Sequence, residues 1–270
     1  MSTTTSRLDA ADLPNGVRLP YIEHGRPDGV PVVLLHGLTD SAPAFEPVLS
    51  RLPDSVRAYA LTARGHGDAS RPGSYRLADM VDDVAQFLDA VGLESAVVAG
   101  HSMGSIVAAR FAIDHPDRVT GLVIMGGATT FTAVGLEAMR DELAPLSDPV
   151  DLDYLRGFQE STLARPVPPR FLDAVVGESA KVSIATFRDA LEQVCLVDFS
   201  SELGSISAPT LVAWGEQDAF CPRSEQDALL AAIPRARLAV HEGAGHAFHW
   251  EDPERFAAEL AAFAEEVSGR

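Results

Sequence analysis

The chain has 270 residues, of which 46% are hydrophobic, and its 39 acidic residues outnumber 21 basic ones to give a formal net charge of −18. This length can bury the core of one α/β domain with an inserted subdomain. So acidic a surface repels phosphate backbones and anionic lipid, so we expect neither nucleic acid nor a membrane as a partner.

The first half of the chain predicts strands that alternate with helices. Residues 1–14 are polar and predict a loose segment, after which short apolar runs are typical of strands buried on both faces of a sheet. Glycine and proline mark several of the boundaries. The predicted strands are residues 17–22, 30–35, 56–61, 96–99 and 119–125, and the predicted helices are residues 77–91 and the segment from 103 to about 115.

The alternation stops between residues 128 and about 205, where the sequence predicts helices only. This segment is too long for a simple loop. We therefore expect a core domain in two parts, 1–127 and 206–270, a helical cap over 128–205, and a ligand pocket between cap and core. The predicted cap helices are residues 131–143, 151–163, 171–176 and 183–194.

The sheet pattern resumes in the last quarter of the chain. Residues 209–214 and 237–241 predict strands, and residues 223–233 predict a helix between them. A closing helix over 253–267 starts with a proline near its first position and has Asp252 as its expected N-cap. Strands that alternate with helices on both sides of the cap indicate a mostly parallel sheet with helices on both faces.

Residues 95–110 read SAVVAGHSMGSIVAAR and carry a G-x-S-x-G pattern between a predicted strand and a predicted helix. On its own the pattern also fits a serine that caps a helix. In this context it predicts a nucleophile elbow, a sharp turn that exposes a serine hydroxyl at the sheet edge. Gly100 and Gly104 lack Cβ and so allow close backbone packing. Ser102 is the candidate nucleophile, and the Met103 N–H at the helix start is a candidate oxyanion donor.

Three other loops carry the groups that such a serine needs. An H-G-L segment follows the predicted strand at 30–35, and the Leu38 N–H is the candidate second oxyanion donor. Asp218 and His246 each follow a predicted strand, as Ser102 does. Because the carboxyl ends of parallel strands meet at one edge of a sheet, these side chains can converge although they are far apart in sequence.

Over nearly its whole length the chain resembles the α/β-hydrolase fold superfamily, in the branch with a serine nucleophile and a helical cap. The resemblance rests on the segments HGLTD, RGHGDAS, GHSMGS, PTLVAWGEQD and GAGHAFHWEDPERF. It implies Ser102 as nucleophile, His246 as general base and acid, and Asp218 as the carboxylate that orients the histidine. It also implies the backbone N–H groups of Leu38 and Met103 as the oxyanion hole.

Two other side chains compete for the roles of acid and base. Glu216 lies close to Asp218, but the motif places the acid of this superfamily at Asp218. His249 lies three residues after His246, and its position beside a tryptophan is typical of a packed histidine. Cys221, near the acid loop, is interpreted as an inert small residue.

The main hypothesis for function is hydrolysis of a carboxylic ester or lactone of a small, fairly apolar substrate through an acyl-enzyme on Ser102. Two alternatives stay open: a C–C bond hydrolase or cofactor-free haloperoxidase (perhydrolase) on the same triad, and a small-molecule binding protein without catalysis. The chain departs from many relatives at Ser105, where they carry glycine, and at Thr62, where they carry aspartate. Both departures leave the substrate subclass open.

The sequence contains no metal-ligand cluster, phosphate loop or nucleotide fingerprint, so we expect no cofactor and no metal. Cys195 and Cys221 leave open whether they pair. Few cysteines, no apolar secretion signal and no apolar run of membrane-spanning length predict a cytoplasmic enzyme. The oligomeric state is not predicted.

Overall fold

An eight-stranded sheet forms the centre of the computed structural model, which describes residues 6–269. The strands are β1 (Arg7–Asp12), β2 (Arg18–His24), β3 (Val30–Leu35), β4 (Val56–Leu61), β5 (Ala96–His101), β6 (Val119–Met125), β7 (Thr210–Gly215) and β8 (Ala236–His241). Their order across the sheet is β1-β2-β4-β3-β5-β6-β7-β8. β2 runs antiparallel to both of its neighbours, and β4, β3 and β5 to β8 are parallel to one another. The predicted mostly parallel α/β fold is confirmed.

Helices cover both faces of this sheet. The helices in the described part of the chain are α1 (Glu46–Leu49), α2 (Leu77–Ala90), α3 (Met103–Asp114), α4 (Met139–Leu143), α5 (Leu152–Ser161), α6 (Pro169–Ser179), α7 (Ile184–Ala190), α8 (Arg223–Ala232), α9 (Phe248–Glu251) and α10 (Pro253–Ser268). Helices α1, α9 and α10 pack on one face, and α2, α3 and α8 pack on the other. Between residues 6 and 269, no helix has both the length and the apolar character that crossing a bilayer would require.

The strand β3 shows why the central strands read as continuous apolar runs. Val33 and Leu35 belong to the core on the side of α2 and α3, whereas Val32 and Leu34 belong to the core on the side of α10. Successive side chains of a strand point to opposite faces, and here both faces are covered. The residues that point to either face are therefore apolar, and the strand contains no polar residue.

The prediction of a loose segment over residues 1–14 is wrong for Arg7–Asp12, which form the edge strand β1 paired with β2. Residues 1–5 lie outside the described part of the chain. This strand is held by the backbone ladder and buries little side-chain surface; Leu8 is 73% exposed. An edge strand with few buried side chains has no apolar alternation, so the sequence carries no signal for it.

Helices α4 to α7 lie in the chain between β6 and β7. The predicted helix over 131–143 is shorter than expected, because Gly135 has a left-handed φ of 79° and only a 3-10 turn and α4 follow it. The helix α6 is longer than the predicted 171–176 because it begins at Pro169, where proline suits a first turn. A π-helical turn, Leu191–Cys195, continues α7.

The loops that follow β3, β5, β7 and β8 all leave the sheet at the same edge, because these strands are parallel. Helices α5 and α6 pack against each other near this edge. Phe158 of α5 also packs edge-on against Phe187 of α7, with ring centroids 5.6 Å apart. The four loops and the helices above them enclose the candidate site.

Candidate active site

The predicted elbow is a sharp turn between β5 and α3. Ser102 has φ 52° and ψ −116°, a conformation that residues with a Cβ rarely adopt. Its N–H donates to the Met125 carbonyl oxygen on β6 at 2.9 Å. A Cβ on Gly100 would lie 2.0 Å from the Gly104 carbonyl oxygen, and one on Gly104 would lie 2.2 Å from the Leu35 carbonyl oxygen. Close backbone packing therefore requires both glycines, as the sequence predicts.

Asp218 and His246 meet through a hydrogen bond although 28 positions separate them in sequence. The His246 Nδ1 lies 2.8 Å from the Asp218 Oδ2, and both side chains are buried. The Asp218 Oδ1 accepts the N–H groups of Phe220 and Cys221, each at 2.8 Å. Burial alone would raise the pKa of the Asp218 carboxyl, but the charge of His246 and these hydrogen bonds outweigh burial and lower that pKa. The carboxylate is therefore ionised near neutral pH and orients the imidazole.

The two competing side chains have other surroundings. Glu216 is exposed, and its Oε2 accepts the Gly243 N–H at 3.0 Å. His249 is buried, with its ring centroid 4.4 Å from that of His101. Burial, followed by the charges of His101 and His246, pushes the pKa of His249 well below its usual value. His249 is thus a neutral, packed residue, and neither side chain joins the acid–base contact.

Two backbone N–H groups lie beside Ser102. Leu38 follows β3 in the oxyanion loop, which we define as residues 37–40, and it lines the same cavity as Ser102 and His246. Met103 is the first residue of α3, so its N–H lies at the positive end of the helix dipole. In residues 6–269, neither N–H donates to a protein acceptor. Both are therefore available to an oxyanion at the predicted position.

The cavity beside Ser102 is small and mainly apolar. It measures about 30 Å³ and lies next to a wider groove of about 500 Å³, since four residues line both spaces. Among the described residues, the cavity lining includes no lysine and no arginine. The apolar lining of the cavity comprises Leu38, Phe131, Leu136, Met139, Phe158, Phe220 and Trp250, of which Leu136, Met139, Phe158 and Phe220 also line the groove.

A buried carboxyl group and a buried amide face the same cavity, and neither was predicted from the sequence. Asp40 ends the oxyanion loop and is 3% exposed, and Gln159 of α5 is 1% exposed. The Gln159 Nε2 donates to the Asp40 Oδ1 at 2.9 Å. Burial raises the pKa of Asp40 to about 7, against the smaller effects of the Gln159 hydrogen bond and the charge of His246. The only sequence signal for Asp40 was its place in HGLTD, next to the predicted oxyanion donor.

Three buried groups, Asp218, Cys221 and His246, place one potential metal-ligand atom each within 4.8 Å of one another. Their contacts explain this closeness without an ion. The Cys221 Sγ donates to the Gly126 carbonyl oxygen at 3.3 Å, and burial raises the pKa of its thiol well above the usual value, so it stays protonated. Cys195 and Cys221 are both buried and unpaired, which answers the question that the sequence left open.

Known proteins that are similar to this chain identify its family. A model of the alpha/beta hydrolase family matches residues 32–259. The pimeloyl-[acyl-carrier protein] methyl ester esterase of Yersinia enterocolitica is 28% identical over 244 residues, which cover 87% of this chain and 93% of the relative. A 2-hydroxy-6-oxononadienedioate/2-hydroxy-6-oxononatrienedioate hydrolase of Pseudomonas putida is 32% identical over 179 residues, covering 63% of this chain and 62% of the relative.

Solved structures show the same architecture. The esterase RhEst1 from Rhodococcus sp. ECU1013 superimposes with a TM-score of 0.82 at 25% identity, covering 96% of this chain and 99% of that one. The family match covers most of β3, all of β4 to β8, and the loops that follow β3, β5, β7 and β8. The chain therefore belongs to the alpha/beta hydrolase family and is a hydrolytic enzyme.

Proposed function

We propose that the protein is a serine hydrolase that cleaves a carboxylic ester or lactone of a small, neutral and fairly apolar molecule through an acyl-enzyme on Ser102. The observation that carries the proposal is the buried hydrogen bond between Asp218 and His246, whose imidazole shares one cavity with Ser102. The strained elbow supports it, because such a backbone conformation persists where the surrounding structure holds it for function.

In the proposed mechanism, the Ser102 Oγ attacks the ester carbonyl carbon while His246 accepts its proton. The carbonyl oxygen becomes an oxyanion that the N–H groups of Leu38 and Met103 bind. The intermediate collapses, the bond to the alcohol oxygen breaks, and the alcohol leaves with the proton from His246. Water then attacks the carbonyl carbon of the acyl-enzyme while His246 accepts a proton from it. The bond between that carbon and the Ser102 Oγ breaks, the Ser102 Oγ takes the proton from His246, and the carboxylic acid leaves.

The lining of the site supports the substrate class. An apolar cavity without lysine or arginine favours a neutral substrate over an anionic one, because it offers no permanent positive charge to replace the water around a carboxylate. The small cavity fits one compact part of the ester, and the wider groove can hold a longer part beyond Phe158 and Phe220. The relative from Yersinia, by its name, acts on a methyl ester, which also has one compact part.

A C–C bond hydrolase is the second candidate, because the relative from Pseudomonas putida is named for such a substrate. That substrate is a dioate and carries two carboxylates. The cationic groups that would bind them are missing from the described lining of the cavity. The ester or lactone therefore fits the site better than the dicarboxylate does.

The test is labelling with a fluorophosphonate probe, followed by intact mass, and a panel of neutral esters and lactones. We expect one adduct and ester turnover on the wild type, and neither on Ser102→Ala. Ser105→Ala is the matched control, because Ser105 is a buried serine on α3 whose hydroxyl donates to the Ser102 carbonyl oxygen. An adduct on Ser102→Ala would overturn the proposal, and so would turnover of 2-hydroxy-6-oxononadienedioate with none of the esters or lactones.

A further inference from the structure

We propose that Gln159, on α5, is a positioning residue that holds the oxyanion loop in its active conformation and thereby makes catalysis depend on the cap. The inference rests on the proposed function, since it assigns a role in the same oxyanion hole. Gln159 belongs to the helices between β6 and β7, whereas the oxyanion loop belongs to the sheet.

The side-chain amide of Gln159 joins the two parts of the molecule through three contacts. Its Nε2 lies 3.2 Å from the Thr39 Oγ1, 2.9 Å from the Asp40 Oδ1 and 3.0 Å from the Ser179 Oγ. All four side chains are at most 3% exposed. The amide has two N–H groups for these three acceptors, so one N–H is shared between two of them. Two of the three acceptors belong to the oxyanion loop, and the third lies on α6.

The contact between Gln159 and Thr39 matters because the backbone of Thr39 is strained. Its φ is 68°, in the left-handed region, where a β-branched residue is a rare outlier. Such a conformation persists only where the surroundings hold it. Rotation about the Thr39 N–Cα bond would move the preceding residue, Leu38, which carries the oxyanion donor. Gln159 donates one hydrogen bond to the Thr39 hydroxyl and another to the carboxyl group of the next residue, Asp40. Together these bonds oppose rotation about the Thr39 N–Cα bond.

The end of α5, which carries Gln159, is held by hydrogen bonds to the loop of His246 and to α9. The Thr162 carbonyl oxygen accepts the Ala247 N–H at 3.0 Å, directly beside His246. The Glu251 Oε1 accepts the Ala164 N–H at 2.8 Å. The same carboxylate oxygen also accepts an N–H from the histidine loop, at position 245 and 3.0 Å. One helix end therefore contacts both the loop of the oxyanion donor and the loop of the catalytic histidine.

A residue that only binds substrate would behave differently from one that positions the oxyanion loop. Gln159 lines the cavity, so loss of a substrate contact would raise KM. Misplacement of an oxyanion donor instead weakens the interaction made in the transition state and lowers kcat. The two roles are therefore separated by the kcat and KM of one variant.

The experiment compares Gln159→Met with Ser179→Ala on a neutral ester. Methionine keeps the volume of glutamine but has no N–H. Ser179→Ala removes the partner of Gln159 on α6, together with the hydrogen bond that Ser179 donates to the Val175 carbonyl oxygen. We expect Gln159→Met to lower kcat at least tenfold with KM within threefold, and to weaken a trifluoromethyl ketone, which forms an oxyanion on the serine, by the same factor. We expect Ser179→Ala to change kcat less than threefold. Equal losses in both variants, or a change in KM alone, would overturn the inference.

A rescue variant tests the role of the strained backbone. Glycine adopts a positive φ without a Cβ penalty, so Thr39→Gly in the Gln159→Met background is expected to recover at least part of the lost kcat. No recovery would contradict the proposed link through Thr39.

If Gln159→Met does not fold, Gln159→Asn serves instead, because it keeps the amide but is one methylene too short to reach the loop. A wild type without probe adduct or turnover defeats the proposed function, whereas an active wild type with an equally active Gln159→Met defeats only this inference.

Discussion

Asp40 is a buried carboxyl group in the cavity beside Ser102, and no arginine, lysine or histidine of the described chain lies within ion-pair distance of it. Its neighbours are the Gln159 amide, which donates to it, and His246, whose charge acts on it. Burial favours the neutral acid and raises its pKa to about 7. The folded protein therefore holds a proton that the unfolded chain releases at lower pH, and stability falls as the pH rises through this range.

At the residue scale, we therefore predict that Asp40→Asn stabilises the protein more at high pH than at low pH. Asparagine is already neutral and keeps an oxygen for the Gln159 donor, so the cost of ionising a buried acid disappears. From pH 5.5 to 8.5 the advantage of the variant should grow by about 2 kcal/mol, since it accumulates at about 1.4 kcal/mol per pH unit up to the folded pKa. The measurement is urea unfolding at both pH values.

The control for this prediction is Asp141→Asn, which removes the same charge from an exposed position on α4. It should shift stability by a similar amount at the two pH values. An advantage of Asp40→Asn that does not depend on pH would show that Asp40 is ionised throughout, and would contradict the role of burial.

The elements around Ser102 use glycine for different reasons. In the turn between β5 and α3, Gly104 is needed because a Cβ would meet the backbone of β3 at 2.2 Å. In α5, a Cβ on Gly157 would have no atom within 4 Å, and its backbone φ is not positive. A helix with an interior glycine is less stable than the same helix with alanine. No close packing around Gly157 requires glycine there, and the residue lies on the wall of the wider groove.

At the scale of elements, we predict opposite effects for alanine at these two glycines. Gly104→Ala should lower the free energy of unfolding by about 2 kcal/mol or more, because backbone of β3 has to move. Gly157→Ala should raise it by about 0.5–1 kcal/mol, because alanine loses less conformational freedom in a helix. Thermal unfolding of both variants is the measurement. A Gly104→Ala protein with the melting temperature of the wild type would contradict the close packing of the elbow.

The whole molecule carries a formal charge of −18, and Lys181 is its only lysine. Such a charge produces a repulsive potential for anions around the entire surface. The cavity adds no local cation of lysine or arginine type among its described lining residues. The surface charge and the cavity lining thus both disfavour anionic substrates. Salt screens the contribution of the surface charge.

At the scale of the molecule, we predict discrimination against anionic esters that weakens with salt. The p-nitrophenyl monoester of a short dicarboxylic acid should have a kcat/KM at least about tenfold below that of a neutral p-nitrophenyl ester of equal length at low salt. The ratio should narrow in 0.5 M NaCl, where the screening length is a few Å, while the neutral ester changes little. A deficit that salt leaves unchanged would place the discrimination in the cavity alone.

Much of the fold was predictable from the sequence because its signals are local. The strands β3, β4 and β6 have the predicted bounds, since burial on both faces turns each of them into an unbroken apolar run. The elbow was also predictable from a local signal, because the glycines on both sides of the serine indicate the close backbone packing that the turn requires. The assignment of Ser102, Asp218 and His246 as a catalytic triad stays a prediction, and the geometry supports it.

Other features were decided only by tertiary structure. β1 exists because β2 offers its backbone edge, and a backbone ladder leaves no mark on side-chain composition. Asp40 and Gln159 meet across 119 positions of the chain, so neither stretch of sequence shows that the other is its partner. A buried polar contact depends on which groups the fold brings together and on the water it excludes. The amino-acid sequence therefore determined the central strands of the sheet and the candidates for catalysis, while the packing of helix α5 against the loop at residues 37–40 decided which polar groups surround them.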